Sequence, residues 1–580
     1  MMLKVMDKEK RWNIYYMIVS AGMPIIIFSL LVQIWNLDLT VPYFGGRGDG
    51  ISNLWMIRNF IDGNGIYTYS RLNSPWGVVR EGMTTDGLLN ILLMYLLARI
   101  TKSVGLTYNV FFIVSFSITS LSAYLVTKKL LNKRNIALLA GLLYTFLPYH
   151  FMRVMHINLM TYYYIPFIVY FLIKLCMGQQ INKRYIFITF FINGTESLYY
   201  AAFTLLLLAF VFVIMKKNKY CLGNWLCSIL AILLGVLLVY ALPKVVEISN
   251  NHISNQETVE GNTSEEGNMD FEEVGTNRTV AELNDYGLRI WALFSPVLYH
   301  RISELSEFTY QLYNDMSITY DAYMMSLGLL ITVGLLYSMF SLAFRRGRNE
   351  AMVCGKLILF MLLLGMSYGV CILIGTYFTT AIRCYNRIIV YVAFASLISL
   401  SCLLRSIWDI KCINNKKNQS VFGGLLVFLM LFGIWDQTPS YLSTHVGIEE
   451  ATPHNLLQIY EAYADQYYDE VNFWADVEKP LAEGDAVYIM RKETDVLDLS
   501  PFIFTEKIKT NATFNGYSVL INSHNKIAKE TFTSSNIQSI VVIKSGYEDV
   551  EYKKQIEILE NMGYQAYLRN AMGAAFMISN

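Results

Sequence analysis

The sequence predicts a polytopic α-helical membrane protein, with about eleven transmembrane helices and a small C-terminal extracytoplasmic α/β domain. Three observations predict it. Apolar runs of membrane-spanning length recur along most of the chain. Short basic loops punctuate them at intervals that place positive charge on one side. After residue 437 the character changes to alternating strand-like and helix-like segments. Composition agrees. Of 580 residues, 54% are hydrophobic and 16% charged, where a soluble chain carries about 25% charge. Mean hydropathy is +0.37. Net charge is +1, which by itself points to no partner, and nucleic acid is not among the partners expected.

The spans read as 13–35, 107–127, 135–149, 159–178, 185–198, 199–215, 222–243, 322–344, 353–377, 385–404 and 420–436. The charged N-terminus followed by an apolar run, without an obvious small-residue cleavage site, reads as a retained first span. The segment Gly87–Ile100 decides sidedness, because every later loop changes side if it crosses. Reading it as a juxtamembrane or re-entrant helix puts Lys128, Lys129, Lys133 and Arg134, then Lys183 and Arg184, then Lys216, Lys217 and Lys219, then Arg345, Arg346 and Arg348, and Lys411, Lys416 and Lys417 together on the cytoplasmic side. The N-terminus is then inside a cytoplasmic (plasma) membrane. The segments 36–106, 150–158, 244–320 and 378–385, with the C-terminal domain, are outside. Residues 1–437 form the transmembrane domain and 438–580 the extracytoplasmic one. Residues 250–285 are acidic and poor in apolar side chains, as expected of a loop.

In the C-terminal part, 453–475 reads as an amphipathic helix, Ala486–Met490 and Ile537–Ile543 as strands, Tyr552–Met562 as a helix closed by Gly563, and Ala574–Ile578 as a strand. The eight cysteines all precede residue 413, so this domain has no disulfide framework. No CxxC pattern or other metal-ligand spacing occurs, and neither a metal nor a cofactor is expected.

Charge placed in or against hydrocarbon is costly, so charged groups near the outer ends of spans are candidates for function. Asp49, in Gly45-Gly46-Arg47-Gly48-Asp49-Gly50, can act as a base or orient a hydroxyl, or can be a solvated turn residue. His150, Arg153 and His156 follow span three and suit a phosphate or a hydroxyl-rich ligand, or simply anchor the interface. Glu196, between two apolar spans, faces a cavity or sits in a turn. Arg383, Asn386 and Arg387 at the mouth of the tenth span suit a lipid phosphate, or headgroups in general. Arg289, His300 and Arg301 add polar candidates on an apolar, re-entrant-looking stretch.

The texts RLNSPWG, LPYHFMRVMHINL, SLYYAAF, DYGLRIWALFSPVLYHRI, AIRCYNRI and GIWDQTP, in that order, resemble those of C-type (GT-C) polytopic membrane glycosyltransferases, nearest to a bacterial branch close to the YfhO-like membrane proteins. The resemblance implies transfer of a sugar from a polyprenyl-phosphate donor to a cell-envelope glycan or lipid acceptor on the outer face. It implies Asp49 as general base or acceptor-orienting group, His150, Arg153 and His156 as the second-loop polar cluster, and arginines 383 and 387 on the donor phosphate. The chain departs from the oligosaccharyltransferases, lacking an acidic pair in the second loop and a WWDYG-type signature. Two rivals remain: a flippase or transporter of lipid-linked glycans, and a non-catalytic scaffold of envelope assembly.

Overall fold

The computed structural model describes residues 2–578 apart from 45–49, 73–77, 80–86, 216–217, 250–278, 317–324, 413–414, 440–455, 491–499, 511, 514–515, 518–536 and 545–546. Asp49 and nearly all of the acidic segment 250–285 therefore lie outside the described residues.

Each of the apolar segments read from the sequence falls on helix. Among the described residues, six helices are long and apolar enough to cross a membrane, or seven if a bent pair counts as one span. Ile165–Cys176 and Leu198–Ile214 are apolar but shorter. Tyr385–Ile410 runs through the middle of the bundle, buried along almost all of its length. Glu9–Val32, Lys219–Pro243 and Lys416–Gln437 present most of their surface outward, with side chains such as Ile18, Leu30, Leu237 and Phe428 exposed, as suits contact with lipid. Leu329–Phe344 packs closely on the central helix. A Cβ on Gly334 would stand 2.1 Å from the Ser396 carbonyl oxygen, so only glycine permits this approach.

Three segments differ from the sequence reading; the fourth span, 159–178, is helical only over Ile165–Cys176, after the separate turn Ile157–Met160. The third span stops at Thr145 and resumes as Pro148–Met152, because proline has no N–H to continue the ladder. The ninth, 353–377, is not one helix: Asn349–Gly365 ends and Val370–Tyr377 begins after a break. The freed backbone groups are met by a distant segment. Leu288 N–H donates to the Gly365 carbonyl (2.7 Å), and Ser367 N–H donates to the Leu288 carbonyl (3.2 Å). A broken helix inside a bundle needs such a partner. Asn349–Gly365 also meets Leu329–Phe344 at 102° across the Arg345–Arg348 turn.

The segment 87–100 forms the helix Leu88–Thr101, of 14 residues. It buries Asn90, Ile91, Met94 and Ala98 and exposes Leu89, Leu92, Leu96 and Ile100. Its outward stripe is therefore apolar, the pattern of a helix lying against lipid.

The C-terminal unit holds a five-stranded mixed sheet in the order Lys509–Thr510, Ala486–Met490, Ile537–Ile543, Gly573–Met577, Gln565–Arg569. The first three are parallel and the last two join antiparallel. The helix Asp549–Asn561 is followed by Gly563 at φ +87°, the left-handed conformation that ends a helix. Gln565–Arg569 escapes the sequence reading because it is a half-exposed edge strand with no alternating apolar pattern. The amphipathic helix extends over Leu456–Glu478 and belongs to two cores. Tyr460 packs with the bundle and first outer loop, whereas Phe473, Trp474 and Val477 pack under the sheet.

Candidate functional site

Residues 148–160 fold as two short helical turns, Pro148–Met152 and Ile157–Met160. His150 points into the core. Its Nε2 lies 2.7 Å from Ser115 Oγ and its ring stacks on Phe116 at 4.0 Å. With no exposed surface, it packs the bundle rather than lining an opening. Arg153 is 1% exposed, with its guanidinium 5.4 Å from the Tyr149 ring centre. His156 is half-buried and starts the second turn, its N–H donating to the Arg153 carbonyl (2.9 Å).

Glu196 closes the helix Lys183–Glu196 and is buried. Its Oε1 accepts from the Leu89 N–H (2.8 Å), and Tyr163 and Thr195 hydroxyls lie at 3.4 Å from its oxygens. The helix Leu88–Thr101 has no side-chain cap of its own. Glu196 supplies one from across the fold, placing a carboxylate at the positive end of the helix. Asn90 adds a second latch, donating to Thr161 Oγ1 at 2.6 Å. Gly87 makes the approach possible: its φ is +82°, and a Cβ there would stand 2.5 Å from Glu196 Oε2. Glu196 thus sits at the break between two helices, buried rather than on the surface, and anchors a helix more than a hundred positions away.

This anchor is testable. Glu196→Ala leaves the Leu89 N–H without its acceptor, at a cost of about 1–3 kcal/mol. Amide exchange over Leu89–Ile91 is expected to accelerate, and Glu196→Gln, which keeps an acceptor oxygen, to fall in between. Unchanged exchange in the alanine variant would remove the anchoring role.

Asn386 and Arg387 lie within the turn Tyr385–Ile388, and Arg383 just before it. Asn386 is buried, and its N–H donates to the Tyr286 carbonyl (3.1 Å). Arg383 donates to Glu282 Oε2 at 2.8 Å and lies over the Tyr286 ring. The bond to Glu282 holds the Arg383 guanidinium above its ordinary pKa, so its charge is committed to a carboxylate. Arg387 is 9% exposed, with its guanidinium 4.2 Å from the Tyr199 ring centre.

Arg153 and Arg387 rest on two different tyrosines, Tyr149 and Tyr199. Tyr149, under Arg153, has its hydroxyl 3.1 Å from that of Tyr200. Tyr199, under Arg387, is the adjacent residue, and Glu196 ends the helix just before both. Tyr200 also lies against Tyr164 and Tyr391. The chain near Asp49 approaches the same region: Gly50 is buried and Asn53 donates to the Met155 carbonyl (3.0 Å), within the turn that carries Arg153 and His156.

His300 and Arg301 lie elsewhere. Arg301 binds the end of the last apolar helix, donating to the Trp435 carbonyl (2.9 Å), to Thr438 Oγ1 (2.9 Å) and to the Thr438 carbonyl. Basic groups suit a helix C-terminus. His300 Nδ1 accepts from Ile302 N–H (3.0 Å), so the proton sits on Nε2, 3.8 Å from Asp436 Oδ1. The texts LYHRI and GIWDQTP thus recognise each other as a clamp and add nothing to the tyrosine cluster.

Burial holds the His300 imidazole below its ordinary value of 6.5, outweighing the pull of Asp436 in the other direction. Below about pH 6.5 the unfolded histidine takes up a proton that the folded one does not, so stability falls as pH drops through that range. The thermal midpoint in detergent is expected to fall more steeply towards about pH 5.5 in the wild type than in His300→Gln. Equal slopes would refute it.

Sequence reasoning missed Arg71, Asp62 and Glu478. Arg71 is buried, with its guanidinium 4.5 Å from the Phe502 ring centre and 2.9 Å from Asp62. Its only sequence signal was its place at the head of RLNSPWG.

Fold and site together define a polytopic helical membrane protein that buries arginines against tyrosine faces and carries a small mixed-sheet unit. No family model matches the chain, and no curated protein matches it. Among solved structures it is similar to apo ArnT from Cupriavidus metallidurans (10% identity, 98% of each chain covered, TM-score 0.49). It is also similar to the same enzyme bound to undecaprenyl phosphate (8% identity, 96% of this chain and 98% of that one, TM-score 0.48). A third is the Archaeoglobus fulgidus oligosaccharyltransferase AglB with an inhibitory peptide and dolichol-phosphate (12% identity, 99% of this chain and 74% of that one, TM-score 0.42). With TM-scores below 0.5, these likenesses carry no weight for function.

Proposed function

We propose that the chain is a membrane glycosyltransferase of the C type, near the YfhO-like branch its sequence resembles. It moves a sugar from a polyprenyl-phosphate donor to an envelope glycan or lipid on the outer face of the cytoplasmic membrane. The observation that carries the reading is the burial of two cations against tyrosine faces, Arg153 on Tyr149 and Arg387 on Tyr199, with Asn53 of the helix Gly50–Ile61 bonded into the turn that carries Arg153. Buried cations at the end of an apolar bundle suit a lipid phosphate, and tyrosine faces suit a sugar.

In this mechanism the prenyl chain lies among the helices and the phosphate meets Arg387, with Arg153 close by. Asp49 takes the proton of the acceptor hydroxyl. The hydroxyl oxygen bonds to the anomeric carbon as the bond from that carbon to the phosphate oxygen breaks. The electron pair leaves with polyprenyl phosphate, whose charge the arginines stabilise. Residues 1–437 carry this chemistry. The N-terminus is inside and the C-terminal unit outside, as the basic loops require.

The test is transfer of label from a radioactive polyprenyl-phosphate hexose by the full chain in proteoliposomes, over a panel of hexoses and acceptors. Label in a product that no longer carries the lipid phosphate is the expected result. Movement of intact labelled lipid between leaflets without transfer would favour the flippase, and neither activity the scaffold.

A further inference from the structure

The helix Leu88–Thr101 does not close fully against the turn that follows Gly50–Ile61. Between them lies an open cavity of about 440 Å³, within the ~300–1,000 Å³ of ligand sites. Residues 63–67 form one wall, and Leu92 and Tyr95 form the other. The lining is mostly apolar or aromatic, and the side-chain amide of Asn64 donates to Asn59 Oδ1 (3.1 Å).

Both walls are fixed by buried groups. Asn59 has no exposed surface and donates to the carbonyls of Gly65 (2.8 Å) and Thr68 (3.0 Å), which holds the turn in shape. Gly63 turns the chain at φ +88°, a conformation that favours glycine. The opposite wall rests on buried Phe60, whose ring meets that of Tyr95 at 5.3 Å. A cavity shaped in advance loses little free energy to ordering when a ligand enters.

Leu92 belongs to two surfaces. It lines the cavity, and it is exposed together with Leu89, Leu96 and Ile100. The cavity therefore opens on the apolar stripe that this helix turns outward, and a hydrocarbon chain lying along that stripe can enter it. A cation stands at the edge of the opening. Arg99 follows Tyr95 by one helical turn, and a Cβ on Gly63 would stand 3.5 Å from its Nη1. Arg99 is exposed, and among the described residues its one bond is to the Phe60 carbonyl at 3.5 Å, longer than an ordinary N–H···O bond. Asp62, beside Gly63, does not answer it, being held by Arg58 at 2.6 Å and Arg71 at 2.9 Å. Lys102, also exposed, adds a second cation at the same helix end.

The geometry points to a binding site for an anionic phospholipid, with one acyl chain in the cavity and the headgroup phosphate on Arg99. The acidic headgroup follows from charge: among the described residues, no carboxylate pairs with Arg99 or Lys102. A phospholipid, rather than the polyprenyl lipid of the proposed reaction, follows from place. The cavity opens on the outward stripe and shares no residue with the tyrosine faces under Arg153 and Arg387. A lipid seated there bridges Leu88–Thr101 to the turn after Gly50–Ile61, whatever reaction the chain performs.

The experiment uses the full chain in phosphatidylcholine nanodiscs that carry a small share of a lipid with a photoreactive diazirine on one acyl chain. Its headgroup is either phosphatidylglycerol or phosphatidylcholine, and crosslinked peptides are read by mass spectrometry. Label on residues 60–67 and 92–99 is expected to be about fivefold higher with the glycerol headgroup, the preference that one basic group gives at a lipid surface. On the outward-facing helix Lys219–Pro243 the two lipids are expected to label alike. Arg99→Gln is expected to remove most of the headgroup preference and keep the label. Leu92→Trp, which fills the opening, is expected to lower the label from both lipids. Both positions are exposed, so neither substitution removes a core contact. Equal labelling by the two headgroups in the wild type, or an undiminished preference in Arg99→Gln, overturns the assignment of the headgroup to Arg99. Undiminished label in Leu92→Trp overturns the cavity as the chain's seat. Displacement of the label by unlabelled polyprenyl phosphate, with none by unlabelled phosphatidylglycerol, overturns the phospholipid and gives the cavity to the other lipid.

Discussion

Asp49→Asn is expected to lower sugar transfer about 10²–10⁴-fold, the range for losing a positioned general base. Asparagine is nearly isosteric and keeps hydrogen-bonding capacity, but it cannot take a proton from the acceptor hydroxyl. A group acting mainly in the transition state should change kcat and leave donor KM nearly untouched. Initial rates at several donor concentrations separate the two. Wild-type turnover by a folded Asp49→Asn protein would remove Asp49 from the mechanism and point to another proton acceptor.

Arg387→Ala is expected to reduce kcat/KM for the lipid-phosphate donor by about a hundredfold or more, since truncating one side of a buried charge pair typically costs 2–5 kcal/mol. The size follows from its setting: the guanidinium is nearly enclosed and rests on the Tyr199 face at 4.2 Å. Water screens it little, and in the proposed reading it meets the donor phosphate. Lysine should not replace it well, because its charge is compact and does not stack. Arg383→Ala is the contrasting variant. Its charge is already answered by Glu282 at 2.8 Å, so the loss in kcat/KM is expected to be about tenfold or less. Equal losses at the two positions would refute the division of roles. So would an Arg387→Ala enzyme of unchanged kcat/KM.

Much of the architecture was legible in the sequence because it is encoded locally. A run of apolar residues must either be covered or meet lipid, so the apolar segments fall on helices. The strands Ala486–Met490 and Ile537–Ile543 and the helix end at Gly563 follow from equally short-range rules. The failures are informative. Nothing local explains the break near Met366–Gly369, because the backbone that completes it comes from Leu288. His150 and Arg153 look alike in the text LPYHFMR. Helical direction sends one into the core onto Phe116 and sets the other on Tyr149 beside the cluster. Glu196 looked like a residue for a ligand because its partner, Leu89, is 107 positions away.

From its sequence alone this chain was determined to be a polytopic helical bundle with a separate α/β unit, because hydropathy and periodicity act over one or two helical turns. The sequence also nominated charged residues at the ends of the spans. Only the tertiary structure decided what each charge does: Arg301 caps a helix end, Arg383 is paired, Glu196 anchors the helix Leu88–Thr101, and Arg153 and Arg387 rest on tyrosine faces. It alone brought Arg71 to Phe502, 431 positions later. The reason is physical. A buried charge must find its partner wherever the fold brings one, and that distance is set by packing rather than by place in the chain.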